Sequence, residues 1–431
     1  MIRIVLFLCF GIWVTGASAQ VLTLDDALSV ALKNNIGIRI AHNEVAIAEI
    51  NNSYGVAGGL PLVLGTASEN QQLTSINQKY SNPANNKSSN YTRSSNLSAG
   101  LSADVLVYNG GRVVNTKNRL EETELQSRLL LDSRVQNLMY NVMLKYFDIV
   151  RQQSYAGTLE TSIVASQQRL DIVKKQQAVG VANDADLFQS QVDLNTQIQN
   201  LQAQQLVVEQ GKTDLLTLLN LKPDSVVLIR DTILVNANLQ LDSILAAVSQ
   251  NPDVQAAYQQ ISINQYVEKE VGAQRYPSLL LNAGYNFSHT QNAAGFSLFN
   301  QSHGPYVGLG LTVPIFNGNI YKKQQQVAGI NVKTAGLERD TLLLGINSSA
   351  VKGWQAYQNN LQQLETAKKN YDLSQKLLDL VLKRFQYKQA TIVEVKNAQQ
   401  SFENAGFLMI NVSYAAKVSE IQLLRLANRL P

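Results

Sequence analysis

Residues that could carry out catalysis or bind a metal ion are scarce in this chain. Its 431 residues include one cysteine, Cys9, and three histidines. Zinc sites and thiol catalysis draw on these residue types, and disulfides need cysteine pairs, so we expect none of them. Gln210-Gly211-Lys212-Thr213 resembles the end of a phosphate-binding loop, but residue 206 is leucine where the first glycine belongs. We therefore predict no enzyme activity, no catalytic residue, no metal and no cofactor.

Amide side chains replace charged ones over much of the sequence. Charged residues make up 16% of the chain, and 36 basic against 32 acidic side chains leave a net charge of +4. That bias is too mild to indicate a nucleic-acid partner. Asn and Gln together number about 80, more than the charged residues, where average usage would have charge well ahead.

The N-terminus has the pattern of a secretory signal peptide. Met1-Ile2-Arg3 is a short basic start, Ile4 to Val14 is apolar, and Ala17-Ser18-Ala19 fits a signal peptidase site. About eleven apolar residues are fewer than the ~20 that span a bilayer, so we expect cleavage after Ala19 and not a membrane anchor. The signal peptide is placed at residues 1–19, and the mature chain is expected to be exported without cysteine.

The mature chain contains an internal duplication. The segment 26–35 recurs at 242–251 with an offset of 216, and 108–110 recurs at 316–318 with an offset of 208. Each copy predicts a short helix, a strand, a long loop, a strand, a very long helix, a tight break and a second long helix. We predict a first repeat at 20–220, a connector with one or two short strands at 221–238, and a second repeat at 239–431.

Period-two alternation predicts transmembrane strands. Apolar residues occupy the odd positions from Leu97 to Val105, and 279–287 and 307–313 repeat the pattern, which suits a strand with one lipid face and one wet face. A soluble sandwich is the alternative, but the rest of the chain offers no second sheet. The polar segments Glu69–Arg93 and Ser288–Gly304 are predicted as surface loops. Four strands per chain cannot close a barrel, so several chains must each donate four.

The helices are predicted to be unusually long. From Val113 to Val179 there is no proline and one glycine over 67 residues, which as a continuous helix would measure roughly 100 Å. In the matching helix of the second copy four apolar residues are expected to pack, namely Leu373, Leu377, Leu380 and Val381. The amide-rich remainder could line a water-filled duct or simply face solvent.

Each long helix turns back at a short break. In the first tip, residues 179–186, Gly180 supplies the break, and Asn183 or Asp184 can cap the returning helix. In the second tip, residues 387–394, Thr391 is the predicted cap, and Glu394 three residues later completes a capping box.

With these features the chain closely resembles the TolC-like outer-membrane efflux family. The resemblance covers essentially the whole mature chain and is most specific at Tyr108-Asn109-Gly110-Gly111, at Phe316-Asn317-Gly318 and at the two tips. It implies a mixed α and β fold, a homotrimer whose long α-helical barrel lies in the periplasm below a shared transmembrane β-barrel in the outer membrane. It also implies a periplasmic adaptor and an inner-membrane pump that supplies the energy.

The resemblance further implies where function lies. Glu394 matches the acidic residue that rings the periplasmic aperture of the family, and Asn397 stands in the place of a second acid. Ala390 falls where the family has a basic latch residue, and Asp186 falls at the position of its acidic partner. The tip residues expected to meet the adaptor are Val179, Gly180, Val181, Asp186, Lys388, Gln389 and Ala390. For Glu394 the alternative is a residue that only caps its own helix.

The predicted function is a passive outer-membrane exit duct for small molecules such as drugs and toxic compounds. An exit duct for type I protein secretion shares this architecture and stays open as an alternative. A secreted trimeric coiled-coil fibre would explain the helices but neither the duplication nor the strands. The expected partners are two further copies of the chain, the adaptor, an inner-membrane efflux pump or exporter, and outer-membrane lipid.

Overall fold

Long helices and one antiparallel sheet make up the computed structural model of this protein, which describes residues 20–295 and 297–431. The predicted signal peptide, residues 1–19, lies outside the described residues. The elements in chain order are β1 (Gln20–Val21), α1 (Leu24–Asn34), α2 (Ile36–Asn51), β2 (Leu62–Gln78), β3 (Lys87–Tyr108), α3 (Arg112–Ala178), α4 (Asp184–Leu218), β4 (Val227–Leu228), α5 (Leu241–Ala247), α6 (Pro252–Ala273), β5 (Ser278–Asn292), β6 (Phe299–Thr312), α7 (Ile320–Gln386) and α8 (Ile392–Leu426).

Two compact units share these elements. The helical unit comprises the described residues up to Ala41, Leu131–Pro252 and Leu343–Pro431, and the sheet unit comprises His42–Leu130 and Asp253–Leu342. The long helices α3 and α7 contribute residues to both units. Each unit is described separately below.

The sheet unit holds a four-stranded antiparallel sheet in the order β2-β3-β5-β6, which confirms the four predicted strands. The register places Leu101 opposite both Gly65 and Tyr285, and Leu281 opposite Leu309. Because antiparallel partners share a face, the apolar residues of neighbouring strands lie on one side of the sheet. The other side carries mainly small and polar residues, together with Leu62, Leu64, Leu106, Leu280 and Tyr306.

The predicted loops between the strands were wrong in extent. Instead of a loop at Glu69–Arg93, β2 runs to Gln78 and β3 begins at Lys87. In place of a loop at Ser288–Gly304, β5 runs to Asn292 and β6 begins at Phe299. Pairing continues through residues that are polar on both faces, as at Gln71 opposite Ser95. Hydrophobic alternation marks a strand only where one face is apolar, so it gives no sign of these polar extensions.

The long helices have the predicted limits. Helices α3 and α7 each have 67 residues, and α4 and α8 each have 35, so the expected helix from Val113 to Val179 is confirmed to within a residue at each end. Among the described residues, no helix combines the length and the hydropathy needed to cross a membrane.

The core of the helical unit uses a different face of α7 from the one predicted. Of the four residues expected to pack, only Val381 is buried, while Leu373, Leu377 and Leu380 are 63%, 45% and 56% exposed. The buried residues of this part of α7 are Leu378, Val381, Leu382 and Phe385. Both sets follow helical spacing, and a sequence shows that a stripe is apolar without showing which stripe meets the chain's own helices.

The connector between the halves was expected to hold one or two short strands, and it holds one, β4. β4 pairs in parallel with β1 through Gln20 opposite Val227 and Val21 opposite Leu228. Tyr146 of α3, which is almost fully buried, donates its hydroxyl to the Leu22 carbonyl at 3.2 Å. The β1–β4 pairing joins residues 20–21 to the connector, and the Tyr146 hydrogen bond joins Leu22 to α3.

Candidate functional site at the two helical tips

The first tip is a hydrogen-bonded helix end centred on Gly180. Gly180 has a φ of +72°, and its N–H donates to the Gln177 carbonyl at 2.8 Å, while the Val181 N–H donates to the Gln176 carbonyl at 2.8 Å. These two bonds define a Schellman motif, in which a residue of left-handed conformation ends the helix. Glycine suits this position because it has no Cβ to clash there.

The second tip ends α7 with the same motif but without glycine. Lys388 has a φ of +62°, its N–H donates to the Phe385 carbonyl at 3.1 Å, and the Gln389 N–H donates to the Arg384 carbonyl at 2.8 Å. Arg384 Nη2 also donates to the Gln389 carbonyl at 2.7 Å. Lysine in this conformation is strained, and the Arg384 side chain adds one hydrogen bond across the turn.

The returning helices begin at the predicted caps. Asn183 Oδ1 accepts the Asp186 N–H at 2.7 Å, so Asn183 and not Asp184 is the cap of α4. At α8 the capping box is complete, because Thr391 Oγ1 accepts the Glu394 N–H at 3.2 Å and Glu394 Oε2 accepts the Thr391 N–H at 2.6 Å. The capping role predicted for Glu394 is therefore confirmed.

Glu394 is exposed and ionised at neutral pH. The Thr391 N–H and hydroxyl hold the pKa of its carboxyl below the usual value, and the positive charge of Arg384 lowers that pKa further. Asn397, one turn later and also exposed, lies on the same face of α8 because residues three apart are neighbours on a helix. The face combines one fixed negative charge with one neutral amide.

A shared apolar cluster holds the two tips side by side within the helical unit. Val173 of α3, Leu382 and Phe385 of α7, and Val395 and Phe402 of α8 are all buried in it. Ala182 of the first tip and Ala390 of the second pack against its edge. Both helix ends are therefore positioned by one core.

Comparisons with known proteins agree with this architecture. The profile of the Outer membrane efflux protein family matches residues 244–429. Outer membrane efflux protein BepC of Brucella suis biovar 1 (strain 1330) is 20% identical over 425 residues, which cover 97% of this chain and 88% of BepC. The solved structure of CusC matches with a TM-score of 0.78 and 19% identity, covering 94% of this chain and 91% of CusC. The solved structure of the outer membrane protein VceC of Vibrio cholerae matches with a TM-score of 0.76 and 15% identity, covering 94% of this chain and 95% of VceC.

The chain resembles the TolC-like outer-membrane efflux family, because the family profile matches residues 244–429 and BepC is similar over nearly the whole chain. It is therefore an outer-membrane transport protein whose helical part lies in the periplasm. The likeness to CusC and VceC shows the shared fold, and the family consists of efflux channels and not of enzymes.

The residues singled out at the tips of this efflux protein are mostly accessible. Val179 and Val181 are 72% and 52% exposed, and Gly180, Lys388 and Gln389 are also exposed. The remaining two tip residues are partly buried, namely Asp186 and Ala390. Since alanine carries no polar group, these two positions form no ion pair within the chain.

A charged layer next to the tips went unnoticed in the sequence. Arg169 of α3, 1% exposed, donates Nη2 to Asp193 Oδ2 of α4 at 2.9 Å, and Lys396 of α8 reaches Asp193 Oδ1 at 3.2 Å. Charged residues on long helices are usually assigned to the solvated face. The signal that could have found Arg169 is its spacing, because 162, 166, 169 and 173 form one helical stripe that ends in buried Val173.

Proposed function

We propose that three copies of this efflux protein form the passive exit duct of a tripartite export system. The observation that carries the proposal is the four-stranded sheet, whose outer strands β2 and β6 each pair with one strand among the described residues. Unpaired backbone groups are not tolerated in hydrocarbon, and bacterial barrels begin at about eight strands. Three copies that pair β2 with the β6 of a neighbour make a closed barrel of twelve strands.

The helices support the same assembly. Leu373, Leu377 and Leu380 form an exposed apolar stripe on α7, at the spacing that makes one helix face. An apolar stripe gains free energy when a neighbouring copy covers it. Four long helices per chain then give a duct wall of twelve helices in the trimer.

Disulfide trapping tests the closure, because the predicted mature chain has no cysteine of its own. Cysteines placed at Val63 or Ala67 of β2 and at Val307 or Leu309 of β6 face the same side of the sheet. We expect at least one combination to give covalent dimers and trimers in outer membranes. Ala103, in the central strand β3, is the control and should not pair with Val307. A water-soluble monomer without cross-links would refute the barrel.

The proposed cargo is small toxic molecules. The chain has more amide than charged side chains, and one relative, BepC, carries the name of an efflux protein. Deletion of the gene should increase sensitivity to dyes, detergents and antibiotics, and plasmid-borne expression should restore resistance. Unchanged sensitivity together with retention of a normally secreted protein would instead indicate the type I secretion alternative.

The exposed tips are the proposed contact for a periplasmic adaptor. Five exposed residues lie outside the apolar cluster at the two helix ends, namely Val179, Gly180, Val181, Lys388 and Gln389. Single cysteines at these positions should cross-link to the adaptor in cells. Cross-links confined to the connector, around 226–235, would contradict docking at the tips.

Glu394 is the proposed selectivity residue of the aperture. Three copies of this exposed carboxylate around a narrow neck would favour cations. Glutamine can replace glutamate in a capping box, so Glu394→Gln should remain folded and trimeric while losing cation preference in planar bilayers. Glu365→Gln, at another exposed acid of the helical unit, is the matched control. If Glu394→Gln keeps full cation preference, the residue is a cap only.

A further inference from the structure

An ion bridge connects three helices close to the start of α8. Asp193 of α4 binds cations from the other two helices, with Arg169 Nη2 at 2.9 Å from Oδ2 and Lys396 Nζ at 3.2 Å from Oδ1. Gln189 Nε2 also donates to Oδ1 at 2.8 Å. Both oxygens of Asp193 are therefore engaged, and its side chain has a fixed direction.

The two ends of the bridge differ in strength. Arg169 is 1% exposed, so loss of its carboxylate partner would leave a buried charge uncompensated, which is strongly unfavourable. Lys396 is 58% exposed, and its ammonium group sits on a flexible stem in contact with solvent. The Arg169–Asp193 pair is accordingly a permanent link between α3 and α4, whereas the Asp193–Lys396 pair can break and re-form.

Water can reach the weaker end. A cavity of about 560 Å³ adjoins Arg169, Asp193 and Lys396. Arg169 Nε and Nη1 are buried and have no hydrogen-bond partner among the described residues, so the Arg169 charge depends on Asp193, while water in the cavity can take the place of Lys396 at Asp193. After release of Lys396, Arg169 keeps Asp193 as its partner, and the exposed Lys396 ammonium contacts solvent.

Lys396 lies two residues after Glu394, within the first turns of α8. We propose that Asp193 is a positioning residue. Arg169 anchors Asp193, and Asp193 holds Lys396. This contact fixes the start of α8, which carries Glu394, against α3 and α4. Breaking the pair frees this part of α8 without disturbing the buried pair. The consequence for transport rests on the proposed function of Glu394, but the contact itself does not.

The test uses a charge removal that keeps the side-chain stem. In Lys396→Met the ion pair is lost, in Lys396→Arg a cation is retained, and Lys369→Met removes an exposed lysine that pairs with Glu365 at 2.9 Å within α7. Hydrogen exchange of peptides covering 392–400 reports the opening of this segment. Loss of an exposed ion pair can change the equilibrium constant for opening of the segment by up to about fivefold. We therefore expect Lys396→Met to exchange up to about fivefold faster, and Lys396→Arg to exchange like the wild type.

Each outcome decides the proposal. Unchanged exchange in Lys396→Met, or an equal increase in Lys369→Met, overturns it. Faster exchange in Lys396→Met alone, restored in Lys396→Arg, supports it. If three copies open together, the per-chain factors multiply, and bilayer opening of Lys396→Met should rise by up to about a hundredfold. Exchange that responds while strand cross-links fail would retain the positioning role and refute the barrel instead.

Discussion

Lys388 occupies a backbone conformation that favours glycine, so Lys388→Gly should stabilise the second tip. Its φ of +62° corresponds to the +72° of Gly180 in the first tip. The bonds from the Lys388 N–H to Phe385 and from the Gln389 N–H to Arg384 depend on this conformation. The same turn is thus present twice in the chain, once with glycine and once with lysine.

The expected size of the effect follows from two opposing contributions. A left-handed conformation costs a residue with a Cβ roughly 1–2 kcal/mol. Glycine loses about 0.5–1 kcal/mol more conformational entropy when the turn forms. The difference favours Lys388→Gly by about 0.5–1 kcal/mol, which is roughly a two- to fivefold change in the opening equilibrium.

Hydrogen exchange of peptides covering 384–391 measures this equilibrium directly. Exchange should slow by that factor in Lys388→Gly, while Gly180→Ala should accelerate exchange at 176–182 by a similar factor. No atom lies within 4 Å of a Cβ at Gly180, so the reciprocal variant tests conformation without a steric clash. Faster exchange in Lys388→Gly would show that side-chain contacts of Lys388, and not backbone strain, control the turn.

Three further substitutions test packing in the sheet, a cap and the core. In Gly284→Ala the new Cβ would lie 2.3 Å from the Leu101 carbonyl oxygen, so folded protein in outer membranes should be lost. The control Gly304→Ala has no atom within 4 Å of its new Cβ and should assemble normally. Asn183→Ala removes the cap of α4 and should cost about 1 kcal/mol, seen as faster exchange at the first tip but unchanged exchange at the second. Leu378→Ala empties a buried site and should lower unfolding stability by about 2–5 kcal/mol, which chemical denaturation would measure.

Local features of this fold were predictable from the sequence, and pairings between distant segments were less so. The cap at Thr391 and the limits of α3 depend on residues within one turn, and the structure has them as predicted, while for α4 it selects Asn183 from the two predicted candidates. The polar extensions of β2 and β3 form by pairing with one another, and these parts of the two strands have no hydrophobic period. Local chemistry therefore located the helix ends but not the strand ends.

The candidate site shows the same division. The capping role of Glu394 could be predicted because its capping box lies within four residues. The Arg169–Asp193–Lys396 bridge joins three helices, and no local pattern distinguishes its residues from solvated charges. The exposed stripe of α7 is a related case, because its apolar character is local but the surface that covers it is not.

The two helical hairpins have equal lengths but unequal chemistry at their tips. The first hairpin ends on an unstrained Gly180 and joins its helices through the buried pair of Arg169 with Asp193. The second ends on the strained Lys388 and reaches α4 through the exposed Lys396. Strain and solvent access both lower the cost of local opening. Any movement of the tips should therefore take place in α7 and α8, the hairpin that carries Glu394, while α3 and α4 provide the fixed frame against which it moves.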